Sequence, residues 1–162
     1  ATKMPNTTLV FDSSGIPGEI LDLMVVNTTT LKANPNLGKA LVGAWYETLK
    51  VMFGTDAKAA AALAHMPKAS GTDVADFKSQ LATTRMYATP ADAYAFVTSP
   101  AVGKTMNLVR TFSFEHGLLG EGAKSADAVG TQLADGKTLG DAKSPKMRFD
   151  ASYTKMAVDG KL

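Results

Sequence analysis

The sequence predicts a mostly helical chain with a few short strands, and three observations carry that prediction. Capping residues followed by proline stand ahead of apolar residues at three- and four-residue spacing, at Asn34-Pro35, Thr89-Pro90 and Ser99-Pro100. Apolar runs of strand character are concentrated at the start, LVF at 9–11 and ILDLMVV at 20–26. Residues 117–140 hold six glycines, with Asp135-Gly136 as a two-residue hairpin turn.

Taken in order, residues 1–8 are polar and carry Pro5, which predicts a loop. Residues 9–11 read as a short strand. Gly15, Pro17 and Gly18 break any regular pattern across 12–19. Residues 20–26 read as a buried strand whose one intrusion is Asp22, and a buried carboxylate needs a partner. Asn27 can cap a short helix ending at Ala33. Asn34-Pro35 opens a long helix, with Leu37, Leu41, Ala44, Trp45, Thr48, Leu49 and Met52 at helical spacing and Gly54 as its stop. On that stripe Trp45 is expected in the core. Thr55 or Asp56 caps an alanine-rich helix reaching about His65. Thr72 is expected to cap the next, to about Thr83. Helices over about 90–98 and 100–116 follow. Beyond Gly117 the pattern predicts a short helix at 125–129, a hairpin pairing Gln132-Leu133 with Thr138-Leu139, and an extended piece at 147–149. Asp150 is expected to cap a last helix ending at Gly160.

Composition narrows the function. A chain of 162 residues forms one domain or a piece of a larger one. A formal net charge of +2 gives no general attraction to nucleic acid or anionic membrane. No apolar run is long enough to span a bilayer. The absence of cysteine excludes disulfides, thiolate metal sites and a thiol nucleophile. The chain opens on Ala1 and goes almost directly into strand-like sequence, which favours a fragment. So does the strand deficit, because two to four short strands cannot build the sheet that residues 20–26 are fitted to join.

Few residues point to chemistry. Gly103-Lys104-Thr105 looks like the end of a phosphate-binding loop, but Thr98 stands where that loop needs glycine, and the stretch lies inside a helix. Gly117, Gly120 and Gly122 follow a helix, whereas a dinucleotide fingerprint follows a strand. His65 and His116 lack a second ligand at metal spacing. Asn6-Thr7-Thr8 and Asn27-Thr28-Thr29 match the glycosylation triplet, and the second is better read as a helix cap. The best site candidate is the strand-flanked loop, where Ser13, Ser14, Pro17, Gly18, Glu19 and Asp22 can hydrogen-bond a small polar ligand.

Four stretches together carry a resemblance: IPGEILDLMVVN, LKANPNLGKALVGAWYETL, FSFEHGLLGEGAKSADAVG and RFDASYTKMAVDGKL. They resemble the nitrate/sulfonate/taurine-type substrate-binding proteins of ABC importers, nearest the subgroup described as urea-transporter binding components. The resemblance runs from about Leu9 to Leu162. It implies an α/β parent fold of the type II periplasmic-binding kind, with two lobes joined by crossovers and the ligand between them. Residues 1–19 would then end the second lobe, residues 20–27 form the return crossover, and residues 28–162 form the helical C-terminal part of the first lobe. The N-terminal half of the protein would be missing. The implied partners are a small-molecule solute and a membrane ABC permease, with no cofactor, no nucleic acid and no enzymatic activity, in a periplasmic or cell-surface location. The return crossover would bring Ser13, Ser14, Pro17, Gly18 and Glu19 nearest the ligand, with Asp22 just beyond.

Two other expectations stand beside it. The fold is also similar to that of the thiamine-pyrimidine synthases, which use pyridoxal phosphate and iron at a histidine- and cysteine-bearing site that this chain does not match. A free-standing helical interaction domain is the other, and the fate of residues 20–26 discriminates it.

Overall fold

The computed structural model describes residues 4–162 and contains seven α-helices among them. Helix α1 spans Thr28–Ala33, α2 Pro35–Met52, α3 Ala57–Ala69, α4 Val74–Thr83, α5 Pro90–Val97, α6 Pro100–Glu115 and α7 Ser152–Val158. Their starts follow local chemistry. The Asn27 side chain accepts from the amides of Thr29 and Thr30, Asp56 from Ala59, and Thr89 from Asp92. Each thereby satisfies a donor that has no partner within the first turn.

Some boundaries differ from the sequence reading. Asp73, not Thr72, caps α4 through the amide of Asp76. Helix α3 runs past His65 and through Pro67 to Ala69. Pro67 forfeits one helical hydrogen bond, but the residue is buried, and the amides of Ser70 and Thr72 both reach its carbonyl.

The three strands are β1 (Gly130–Gln132), β2 (Thr138–Leu139) and β3 (Pro145–Arg148), in the order β2-β1-β3. Strands β1 and β2 are antiparallel, with Thr131 opposite Leu139 and Gln132 opposite Thr138. Strand β3 joins β1 in parallel, with Thr131 opposite Met147 and Gln132 opposite Arg148. The hairpin turn holds three residues rather than two, because Leu133 already pairs with Lys137 (2.7 Å) and Gly136 takes the left-handed conformation that three-residue hairpins need (φ 86°). The helix expected at 125–129 is a single 3-10 turn, Ala126–Ala128, capped by Ser125.

Helix α5 packs on α7, and α2 packs on both α3 and α7. Buried apolar side chains among the described residues are Leu49, Met52, Ala59, Val102 and Phe149. Gly38 of α2 is also buried, because the Tyr153 ring of α7 lies directly over it. The Tyr46 phenol, hydrogen-bonded to Thr154, is pushed above its ordinary pKa by burial.

The strands expected at 9–11 and 20–26 do not form. Both stretches lack ladder partners, and most of their side chains face solvent. Val10 is 94% exposed and Val25 80%. Asp22 is exposed as well, so it needs no buried partner. The physical reason is a missing ladder: the sheet is built wholly within residues 130–148, and neither stretch pairs with its β2 or β3 edge. Trp45, expected in the core, is 43% exposed. The total exposed surface is 11451 Å², whereas a folded monomer of 17.0 kDa is expected to expose about 7,700 Å².

Candidate functional site

The loop at 12–19 is shaped by its own short-range bonds. Asp12 caps a 3-10 turn, Ser13–Gly15. Its carboxylate accepts from the Ser14 hydroxyl (2.5 Å) and the Ser14 amide (2.9 Å). Those bonds, the hydroxyl's first and the amide's second, hold the Asp12 carboxyl below its ordinary pKa. The Ile16 amide closes the turn onto Ser13 O, and the Glu19 amide reaches Ile16 O (3.2 Å). Gly18 sits at φ +83°, a conformation glycine adopts without strain. One long contact ties the loop to the helical body: the Thr105 hydroxyl of α6 points to Gly18 O at 3.5 Å.

The six candidate residues therefore share one exposed loop and its continuation. Ser14 is occupied by Asp12. The carboxylates of Glu19 and Asp22 make no hydrogen bond or ion pair with another described residue. They stand in water as acceptors. None of the six is buried.

Concave surface lies elsewhere, on both sides of the β1–β2 hairpin. An open cleft of about 470 Å³ runs between α5, α7 and the sheet, lined in part by Tyr94, Thr98, Gln132, Arg148, Asp150 and Lys155. Its polar groups are mostly spent locally. The Thr98 hydroxyl donates to Tyr94 O (2.7 Å), Asp150 accepts from the Ser152 amide and hydroxyl, and Lys155 pairs with Asp159. A second cleft of about 370 Å³ separates the hairpin from the first turns of α6 and includes Ser99, Lys104, Asn107 and Lys137. Lys137 there is paired with Asp135 at 3.1 Å. The hairpin is legible in the sequence but these grooves are not, since the approach of residues 148–150 to α5 leaves no local signal.

The remaining motifs stay structural. Gly103-Lys104-Thr105 lies within α6, and Gly117, Gly120 and Gly122 follow its end. His116 stacks on Phe112 with ring centroids 3.9 Å apart, and its Nδ1 lies 2.9 Å from Phe112 O. Among the described residues no group of three potential ligands is placed to hold a metal ion, and no helix is long and apolar enough to cross a membrane. No protein-family model, curated protein or solved structure matches this chain.

Proposed function

We propose that this chain is the C-terminal part of a two-lobed, non-catalytic solute-binding component of an ABC importer, acting outside the cytoplasm. The observation that carries the reading is the loop at 12–22. Its backbone is set by internal bonds, while the Ser13 hydroxyl and the Glu19 and Asp22 carboxylates face outward, unspent. Such a loop suits the floor of a cleft whose other wall comes from a second lobe. Carboxylates accept hydrogen bonds from amide or amine groups and repel anions, so the solute is urea, a small amide or a cationic amine rather than nitrate or a sulfonate. Closure of two lobes on the solute would create the form that docks on the membrane permease.

Calorimetric titration of the natural polypeptide carrying this sequence tests the reading, with urea, acetamide, methylamine, nitrate and taurine as probes. The expected result is binding of one or more of the first three. Glu19→Gln is expected to weaken it by about 10- to 100-fold, the worth of a hydrogen bond to a charged group. Preference for nitrate or taurine, or no heat with any probe, refutes it.

A second reading, a helical interaction domain, is favoured by one observation: large apolar side chains such as Phe11, Ile20, Leu108 and Phe112 are more than half exposed. In that case the partner is a macromolecule, and none of the five solutes binds.

A further inference from the structure

The open cleft of about 470 Å³ between α5, α7 and the sheet carries charges that the fold does not use. Its size falls within the usual range of small-molecule sites. Arg148 ends β3, and Gln132 stands opposite it in the parallel register. Neighbouring strands lie about 4.8 Å apart, so these two side chains stand beside each other on one face. The Phe149 amide continues the ladder to Gln132 O at 2.9 Å, and the Phe149 side chain is buried. Alternation along that backbone puts Asp150 on the Arg148 side, about 6.6 Å further on. Gln132, Arg148 and Asp150 all line the cleft.

Among the described residues, the Arg148 guanidinium and the Gln132 carboxamide make no hydrogen bond or ion pair. Asp150 gives only one oxygen to the fold. Its Oδ1 accepts from the Ser152 amide at 2.9 Å and from the Ser152 hydroxyl at 2.6 Å, which leaves Oδ2 as an acceptor. Arg148 and Asp150 thus carry opposite charges on one wall without pairing with each other. The other cation of the lining, Lys155, is answered by Asp159 at 2.5 Å. What remains in the cleft is one guanidinium and one carboxylate, held apart.

That pattern selects its ligand. An anion alone would suit Arg148 and be repelled by Asp150, and a cation alone would meet the reverse. A zwitterion satisfies both. In an α-amino acid the carboxylate and the ammonium share one carbon, so the molecule can bridge two charges on the same short stretch of strand. We propose that this cleft binds a free α-amino acid. Its carboxylate sits on the Arg148 fork beside the Gln132 amide, and its ammonium donates to Asp150 Oδ2. The site is separate from the loop at 12–22 and does not depend on it.

Calorimetric titration of the natural polypeptide with L-alanine, propionate and ethylamine tests the proposal. The last two each keep one charge of the first. L-alanine is expected to give saturable heat, and the other two to bind at least about 10-fold more weakly, the worth of one charged hydrogen bond. Arg148→Met should weaken L-alanine by about 10- to 100-fold. Asp150→Asn keeps an oxygen for Ser152 and removes the charge. It should weaken L-alanine by a similar factor while tightening propionate, an inversion that loss of structure would not produce. Circular dichroism reports whether a variant has unfolded, and the wild-type ranking of the three probes decides the matter if both have. No saturable heat with L-alanine overturns the proposal. So does propionate binding as tightly as L-alanine, which removes Asp150 from the site. L-alanine binding that is lost in Glu19→Gln and kept in Arg148→Met assigns the amino acid to the loop and overturns it as well. Urea or an amine need not bind the loop for L-alanine to bind here, so the two readings fail separately.

Discussion

The same substitution at two positions of one helix should change stability in opposite directions. Gly38 and Gly43 both lie in α2. In an open helical position, glycine to alanine stabilises by about 0.5–1 kcal/mol, because glycine loses more backbone freedom on folding. A Cβ at Gly43 would find only Leu162 Cδ1 at 4.0 Å, ordinary contact, so Gly43→Ala should realise that gain. A Cβ at Gly38 would stand 2.6 Å from both Cε atoms of the Tyr153 ring and closer still to its Cζ. Tyr153 or α7 must move, and overpacking of this kind costs about 1–3 kcal/mol. After the propensity gain, Gly38→Ala should lose about 1–2 kcal/mol. The two variants then differ by about 2 kcal/mol, roughly 30-fold in the unfolding constant. Urea unfolding followed by circular dichroism at 222 nm measures both. In a Tyr153→Ala background the obstruction is gone, and Gly38→Ala should become neutral or stabilising, a coupling that a double-mutant cycle isolates. If Gly38→Ala stabilises the wild-type chain as much as Gly43→Ala does, α7 does not dock on α2 through Tyr153.

Other outcomes follow from local contacts. Leu49 is 1% exposed, so Leu49→Ala should cost about 2–5 kcal/mol in the same urea assay, and a loss under 1 kcal/mol would mean the site is not packed. Asp56→Ala deletes the cap on Ala59 and should cost about 0.5–2 kcal/mol, with faster exchange confined to the first turn of α3. Arg110 reaches Asp127 at 2.5 Å, with side-chain exposures of 20% and 69%. Arg110→Met should therefore cost at most about 1 kcal/mol while loosening the turn at Ala126–Ala128. At the end of α7, Lys155 holds the Asp159 carboxyl below its ordinary pKa, and Asp159 raises that of Lys155. A depressed carboxyl contributes stability above its unfolded pKa and loses it as pH falls through the folded value. A raised lysine contributes below its unfolded pKa and loses it as pH rises through the folded value. The pair thus supports α7 across the range between them. In an NMR titration Lys155→Met should move the Asp159 midpoint upward, and an unmoved midpoint would refute the pairing.

The helices were legible because their signals are local. Asn27, Asp56 and Thr89 mark starts through bonds that reach only two or three residues ahead. Proline at the first turn fixes the same boundary from the backbone side at Pro35, Pro90 and Pro100. The expected cap Thr72 gives way to its neighbour Asp73, whose carboxylate accepts from the Asp76 amide, because threonine and aspartate oxygens can both serve and local pattern does not separate them. The candidate loop was legible for a similar reason: Gly15, Pro17 and Gly18 cannot continue a regular element. Its exposure was not legible. Nothing in residues 12–22 records that their candidate side chains stay exposed.

Strands expose the limit of that reasoning. The hairpin at Asp135-Gly136 could be placed because its partners are adjacent in sequence, and even there the loop gained a residue. The parallel pairing of β1 with β3 could not, because a ladder between residues 130 and 145 is a tertiary fact with no short-range code. Residues 20–26 show the same limit from the other side. Their apolar character states that the segment is fit for burial, and it was read as burial achieved. Burial needs a partner as well as a fitting side chain, and the partner is not written in the segment. A run of apolar residues therefore predicts a demand for cover. At Ile20, Leu23, Met24 and Val25, and again at Leu108 and Phe112, the fold leaves that demand unmet and the side chains stay exposed.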